Sequence, residues 1–417
     1  MNLLARAAAL CVPLCVLMSP ALAVDFAVVH ATVVTVDGPV IQDGTVLVTN
    51  GRIEAVGARL PVASGVPVVD AAGGWLTPGL IDLHSHMGVY PWPNLNAHED
   101  GNEMNHPSTP QVWAGDSVRV MDPAFSRARA GGITTVHVIP GSANIVGGEG
   151  VVLKLRPSRT LAGLLVEDAP RSIKMACGEN PKRVYEKDAD GPSTRMGNLA
   201  WMRATFQSAL DYREARAAGA SPPVAKDAGL ETILDVLDGK VKVHVHCYRH
   251  DDIEGVLRTM DQFGVKVTSF HHATDAYKVR DLIAAHGAGV ATWPDWWGFK
   301  IEAFDAIPDN IRLVKEAGIP VALHSDSPDM VQRLYLEAAK VVGTGLDEAS
   351  AWETITMDPA RLLGLEGRIG SITVGKDADL ALFDRDPFDV QARVQKTWIE
   401  GELVYDRAQE GTPDAHP

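Results

Sequence analysis

Between Thr77 and Leu365 the chain alternates short apolar, β-branched runs with stretches of helical periodicity, and no other feature constrains its fold so strongly. The runs are LIDLHSH, ITTVHVIP, GVVLKL, RSIKMAC, VKVHVHC, KVTSFHH, AGVATWP and IPVALHSD. Strands alternating with helices read as parallel βα units, and eight in about 290 residues suit a (β/α)8, TIM-like barrel. Such a barrel carries its chemistry at the C-terminal ends of its strands. Five of the eight runs finish in, or beside, a His, Lys or Asp. The third run fits the pattern least, because little helical sequence separates it from the second.

The ends of the chain have another texture. FAVVHATVVTV, GTVLVTNGRIEAVG and GVPVVDAAGGWLTPG are short β-branched runs punctuated by Gly, Asp and Pro, as in a small antiparallel sheet. GRIGSITVGKDADLALFDRD and VQKTWIEGELVYD repeat that texture near the C-terminus. The expected class is α/β: a composite β-sandwich domain built from both termini (24–76 plus 366–410), a barrel (77–365) and a tail (411–417).

Residues 1–23 place Arg6 before an apolar stretch that closes on the small residues ALA, a secretory signal-peptide pattern. The stretch is short for a membrane span and is broken by Pro13 and Pro20. Cleavage after Ala23 would deliver a periplasmic or secreted protein with no membrane attachment. Cys15 is not followed by the small residues of an acylated lipoprotein cysteine. Of four cysteines only Cys177 and Cys247 would then remain, enough for one disulfide but not a framework. Losing Arg6 takes the net charge from −15 to −16, which disfavours nucleic acid or anionic membrane as partner. Solubility explains that charge adequately, and homo-oligomerisation is left open.

Two loops would lie at the catalytic mouth. YPWPNLNAHEDGNEMNHPSTPQ is a long polar insertion after the first strand, and PGSANIVGGEG is a Gly-rich turn after the second. The turn is not a phosphate loop, since it lacks a GKS or GKT end and opens no helix. The charged stretch from Gly178 to Leu199 suits a lid or an oligomer contact.

Among the strand-end residues, His84 and His86 stand two apart and so share a face, as two zinc ligands would. Lys174 ends the fourth run. A buried, unpaired ammonium is costly, so it should be neutralised, paired with Glu149 or Glu179, turned to solvent, or carbamylated into an anionic bridge between two metals. His244 and His246 share a face of the fifth run, with only His246 at its end; His244 would lie deeper, backing the site. His271 and His272 are adjacent in the sixth run, so only one should face inward. Asp326 ends the eighth run and suits metal binding and proton transfer, or it caps the following helix; Ser327 could supply that cap instead. Any one of these residues could be structural. One lysine, one aspartate and histidines at separate strand ends are together hard to explain as packing.

PGLIDLHSHMG, HCYRHDDI, HHATDAYKV, LHSDSP and GSITVGKDADLALFD together resemble the amidohydrolase superfamily over nearly all of the mature chain. The most similar branch contains imidazolonepropionase and dipeptidases of the prolidase type. The resemblance implies that His84 and His86 bind the more buried metal, that His246 and His272 bind a second, and that Asp326 binds the buried metal and acts as general acid/base. It aligns Lys174 with the lysine carbamylated in binuclear members. Imidazolonepropionase is mononuclear and lacks that lysine, so Lys174 favours two metals. His271 stands where an acidic residue is usual, and His324 where a smaller residue is common; either could add a ligand or a proton relay.

The implied chemistry is attack on an amide carbon by hydroxide held on one or two divalent ions, with zinc the default and iron, manganese or cobalt as alternatives. Deamination is disfavoured, because Arg249 occupies the place of the deaminases' glutamate. Tyr248 and Arg249 could hold a substrate carboxylate, suiting a dipeptide or N-acyl amino acid; a salt bridge from Arg249 to Asp251 or Asp252 is an equal alternative. Trp293, Trp296 and Trp297 could line an apolar pocket or pack a lid. Two further readings stand beside this one: a one-metal hydrolase of cyclic amides of the imidazolone type, and a binding barrel without turnover.

Overall fold

The computed structural model describes residues 25–188, 191–219 and 222–409, so the expected leader (1–23) and tail (411–417) lie outside the described residues. Five strands come first: β1 (Phe26–Val33), β2 (Ile41–Thr49), β3 (Arg52–Ala58), β4 (Val68–Asp70) and β5 (Trp75–Pro78). The central strands are β6 (Leu80–Ser85), β7 (Ile133–Val138), β8 (Val146–Glu149), β9 (Val151–Lys154), β10 (Ser172–Ala176), β11 (Lys242–Cys247), β12 (Val267–His272), β13 (Gly289–Thr292) and β14 (Val321–Leu323). β15 (Leu380–Phe383), β16 (Val394–Ile399) and β17 (Glu402–Asp406) close the chain.

Strands from both termini form one eight-stranded sheet, ordered β17-β16-β15-β5-β1-β2-β3, with β4 on β1. It is mixed rather than purely antiparallel, because β4 and β5 both run parallel to β1. Its own core includes Val28, Val46, Leu76 and Leu380, with Phe26 stacked on Trp398 at 5.7 Å.

The central strands make a six-stranded sheet, β14-β13-β12-β11-β10-β8, and a three-stranded sheet, β6-β7-β9. The two meet at both edges. Asp326 N–H donates to the His84 carbonyl at 3.2 Å on one side, and Gly150 N–H to the Ser172 carbonyl at 3.0 Å on the other. Most of these strands are buried along their whole length, as expected for strands covered on both faces. A helix from His250 to Phe263 follows β11 and stops at Gly264, whose φ of +66° ends the helix in the left-handed conformation that glycine tolerates.

All eight apolar runs become strands, but the third departs from the parallel scheme. β9 pairs antiparallel with β7, and β8, formed from the Gly-rich turn, pairs antiparallel with β10. A parallel crossover needs a dozen or more residues and usually a helix; between Val138 and Val151 the chain instead spends its residues on β8. The stretch from Gly178 to Leu199 forms a short helix, Glu179–Tyr185, and the start of the longer Arg195–Ala217.

The end of β9 is tied to the terminal sheet by a buried cation. Lys154 Nζ lies 2.6 Å from Asp377, 2.9 Å from Glu400 and 3.2 Å from Asp379. Burial alone would lower its pKa, but Asp379 and Asp377 outweigh that and hold it above the usual lysine value.

Candidate metal centre

β6 delivers His84 and His86 to one face, as the two-residue period requires. Their Nε2 atoms are 3.1 Å apart, and Asp326 Oδ1 lies 3.2 Å from His86 Nε2 and 3.5 Å from His84 Nε2. Ligand atoms at about 2.0–2.2 Å from one tetrahedral ion stand roughly 3.3–3.6 Å from each other. The triangle therefore has the dimensions of three ligands around a single ion. His86 is also held in the tautomer a metal needs: Nδ1–H donates to the Ile139 carbonyl at 2.8 Å, which leaves Nε2 bare.

Asp326 is free for this role because Ser327 takes the cap, its Oγ accepting from the N–H groups of Asp329 and Met330 at 3.2 Å each. Burial would raise the Asp326 carboxyl, but the neighbouring His86, with His324 and Lys174, holds it below its ordinary value. Asp326 and His272 both have positive φ, +50° and +69°, which is costly for residues with side chains. Strain of this kind persists where surroundings over-determine it, and it clusters at functional sites.

The turn at His272 overturns one expectation. His271 and His272 do not point to opposite faces: both rings lie 4.8 Å from the ring of His84. Strand alternation holds only for extended backbone, and the left-handed residue at the end of β12 breaks it. His272 forms a second possible ligand group with His84 and His324. Its ring is 4.5 Å from that of His246. Both nitrogens of His246 and of His324, and Nδ1 of His272, are buried without hydrogen-bond partners. Buried polar atoms are normally satisfied, so this cluster of bare imidazole nitrogens fits a divalent ion. Burial drives His84, His246 and His272 well below the usual histidine pKa and His324 to about 3, leaving their lone pairs free.

Lys174 is fully buried and takes neither acidic partner expected from the sequence. Glu149 is held by Arg171 and Glu179 by Lys300. Lys174 Nζ instead donates to the Pro140 carbonyl at 3.1 Å and Ser142 Oγ at 3.2 Å, and burial lowers it to about 7 against the pull of Asp326. Beside it, Cys177 and Cys247, which follow β10 and end β11, form a disulfide with Cα atoms 5.3 Å apart.

Tyr248 stacks flat on His272 at 4.9 Å and meets His246 edge-on at 5.0 Å. The Arg249 guanidinium is held by Asp251, with Nε 2.9 Å from Oδ1. Trp293 lies against His272 at 4.5 Å and His324 at 4.6 Å, and Trp296 stacks on its other face at 4.4 Å. Both line an apolar cavity of about 360 Å3 with Trp297, Ile307 and Pro308.

Several contributors escaped the reading of the sequence. Asp82, fully buried, accepts from the Ser325 hydroxyl and from the N–H groups of His84 and Ser325. It clamps β6 to the end of β14, and burial raises it to about 7. Its place two residues before His84 was the available signal. His137 and Ser269, behind the centre, gave none beyond inward-facing positions in their strands.

A model described as the Amidohydrolase family matches residues 75–404. Amidohydrolase tasK of Hapsidospora irregularis is 33% identical over 90% of this chain, which spans 42% of that protein's length. Imidazolonepropionase of Idiomarina loihiensis is 26% identical, over 82% of this chain and 86% of that protein. The crystal structure of an amidohydrolase from Thermotoga maritima MSB8 is similar at 36% identity and a TM-score of 0.86, over 92% of this chain and 100% of that one. A prolidase structure is alike in fold alone, at 18% identity and a TM-score of 0.55, over 92% and 100%. These similarities imply a TIM-like barrel with α/β content.

Proposed function

The chain belongs to the amidohydrolase family and is a hydrolase acting on carbon–nitrogen bonds; from that premise we propose that it is exported and cleaves the amide bond of a dipeptide or N-acyl amino acid at a divalent-metal centre. The observation that carries this reading is the triangle of His84 Nε2, His86 Nε2 and Asp326 Oδ1, with sides of 3.1, 3.2 and 3.5 Å.

In this reading His84, His86 and Asp326 would hold the more buried ion, His246 and His272 would hold a second, and a carbamylated Lys174 would add an anionic ligand. Zinc is the default for such a donor set. A divalent ion there would supply Lewis acidity and a nucleophile at neutral pH. Asp326 accepts a proton on its carboxylate as the amide carbon is attacked, then returns it to the departing nitrogen. The Lys174 carbamate forms when the neutral Nζ adds to the carbon of carbon dioxide and one N–H proton leaves. Tyr248 and Trp293, packed on His272, screen the ligands from bulk water. Tyr248 keeps its proposed substrate contact, whereas the pairing of Arg249 with Asp251 argues against that role for Arg249.

The same reading takes 77–365 as a closed (β/α)8 barrel and 24–76 with 366–410 as the composite sandwich. Export draws support from the leader pattern and from the Cys177–Cys247 disulfide, which suits an oxidising compartment. A one-metal hydrolase of cyclic amides is the second reading, favoured by the imidazolonepropionase relatives.

The test is metal analysis of the purified protein together with a panel of dipeptides, N-acyl amino acids and cyclic amides, with and without a chelator. Two equivalents of metal and chelator-sensitive dipeptide hydrolysis are expected. Hydrolysis of the best substrate by metal-free protein would sink the metal reading. Uniform inactivity of fully metallated protein would favour a binding barrel.

A further inference from the structure

Behind the centre, four buried side chains form a continuous polar file. His84 turns Nε2 toward His86 and Asp326, and its Nδ1 lies 2.7 Å from Nδ1 of His271. His271 Nε2 lies 2.9 Å from Ser269 Oγ and 3.2 Å from His244 Nδ1. Ser269 Oγ and His244 Nδ1 are 2.8 Å apart. All four residues are 0% exposed, so solvent cannot stand in for any of these partners.

A hydrogen bond between two ring nitrogens needs a proton on one and a lone pair on the other. An ion on His84 Nε2 requires the His84 proton on Nδ1. His271 Nδ1 must then be bare, and the His271 proton must sit on Nε2, where it donates to Ser269 Oγ or His244 Nδ1. Ser269 Oγ, which can donate one hydrogen bond and accept two, links His271 Nε2–H to His244 Nδ1 in either tautomer of His244. One choice at the metal end thus dictates the tautomers of both His84 and His271. Metal-bound histidines ordinarily lean on a carboxylate, a carbonyl or a water; here His84 leans on a second imidazole.

We propose, resting on the metal reading above, that His271 is a positioning residue which holds His84 in the tautomer with Nε2 bare, backed by Ser269 and His244, and so sets the affinity of the centre for its ion.

The test measures zinc affinity of the full protein by competition with a chelator of known affinity, beside the melting temperature of the metal-free form. The variants are His271→Phe, His271→Gln and Ser269→Ala. His271→Phe should bind zinc about 10–100-fold more weakly. His271→Gln, whose side-chain carbonyl can accept from His84 Nδ1, should recover much of that loss. Ser269→Ala should show a smaller loss, and the visible spectrum of cobalt-substituted protein should shift in the weakened variants. A purely structural role would lower the metal-free melting temperature and leave affinity and spectrum alone. Wild-type affinity and spectrum in folded His271→Phe overturn the proposal. Should that variant not fold, unchanged affinity and spectrum in Ser269→Ala overturn it, and a loss there supports it. Wild-type protein that binds no zinc overturns the metal reading, and this inference with it; zinc-binding wild type with unaffected variants overturns this inference alone.

Discussion

Lys174 Nζ stands 3.1 Å from the carbonyl oxygen of Pro140, and this side chain, 0% exposed, meets no carboxylate at salt-bridge distance among the described residues. A sealed lysine without a counter-charge would be costly as an ammonium. Burial has brought it down to about 7.

If Lys174 is the bridging ligand, Lys174→Ala should fall from two equivalents of metal to one and lose most of its hydrolytic rate. Metal analysis of protein purified under carbon dioxide would read this directly. Two retained metals at full rate would remove the carbamate from the site.

Asp326→Asn keeps the size of the side chain and its oxygen but removes the proton-accepting carboxylate. The expected loss in kcat is about 100- to 10,000-fold, the usual range for a general acid/base. Circular dichroism should show an intact fold. A variant within a few-fold of wild type would exclude Asp326 from proton transfer.

Lys154→Met leaves Asp379 buried without its cation and Asp377 with only Arg52 and Arg368, and breaking such a group typically costs about 3–5 kcal/mol. The deficit should depend on pH. The Asp377 carboxyl, raised by burial but lowered further by Lys154, sits below its ordinary value; its contribution is present above about pH 3.9 and lost as pH falls through the folded value. Lys154 sits above its ordinary value; its contribution is full below about pH 10.4 and lost as pH rises through the folded value. The gap in melting temperature should be widest near neutrality and narrow at both extremes. A gap independent of pH would point to packing instead.

The Cys177–Cys247 disulfide joins residues 70 apart in sequence. Replacing both cysteines with alanine should cost about 2–4 kcal/mol. Because the bond lies beside the ends of β10 and β11, metal retention should weaken as well. A reductant that leaves the wild-type melting curve unmoved would refute this.

Trp296 lines the 360 Å3 apolar cavity and stacks on Trp293. Trp296→Ala should raise KM for substrates with a bulky apolar side chain while leaving kcat within a few-fold, the signature of lost uniform binding. Equal effects on small and bulky substrates would show that the tryptophans pack a lid and line no pocket.

Much of this protein is legible from residue order. Each apolar run became a strand, because burial on both faces demands continuous β-branched sequence. The pairing of His84 with His86 followed from the two-residue period of β6. The reading failed where backbone geometry departs from the regular. His272, at φ +69°, brought in both neighbouring histidines where alternation allows one. β8 emerged from a segment whose glycines suggested only a turn.

The sequence by itself determined the strands, the residue types at their ends and the family to which they belong, because these depend on local period and composition. Only the tertiary structure decided that Arg249 is spent on Asp251, that Ser327 frees Asp326, and that His84 rests on His271. Such choices pit one partner against another across strands far apart in the chain. Distance and burial settle them, and neither is written in the order of residues.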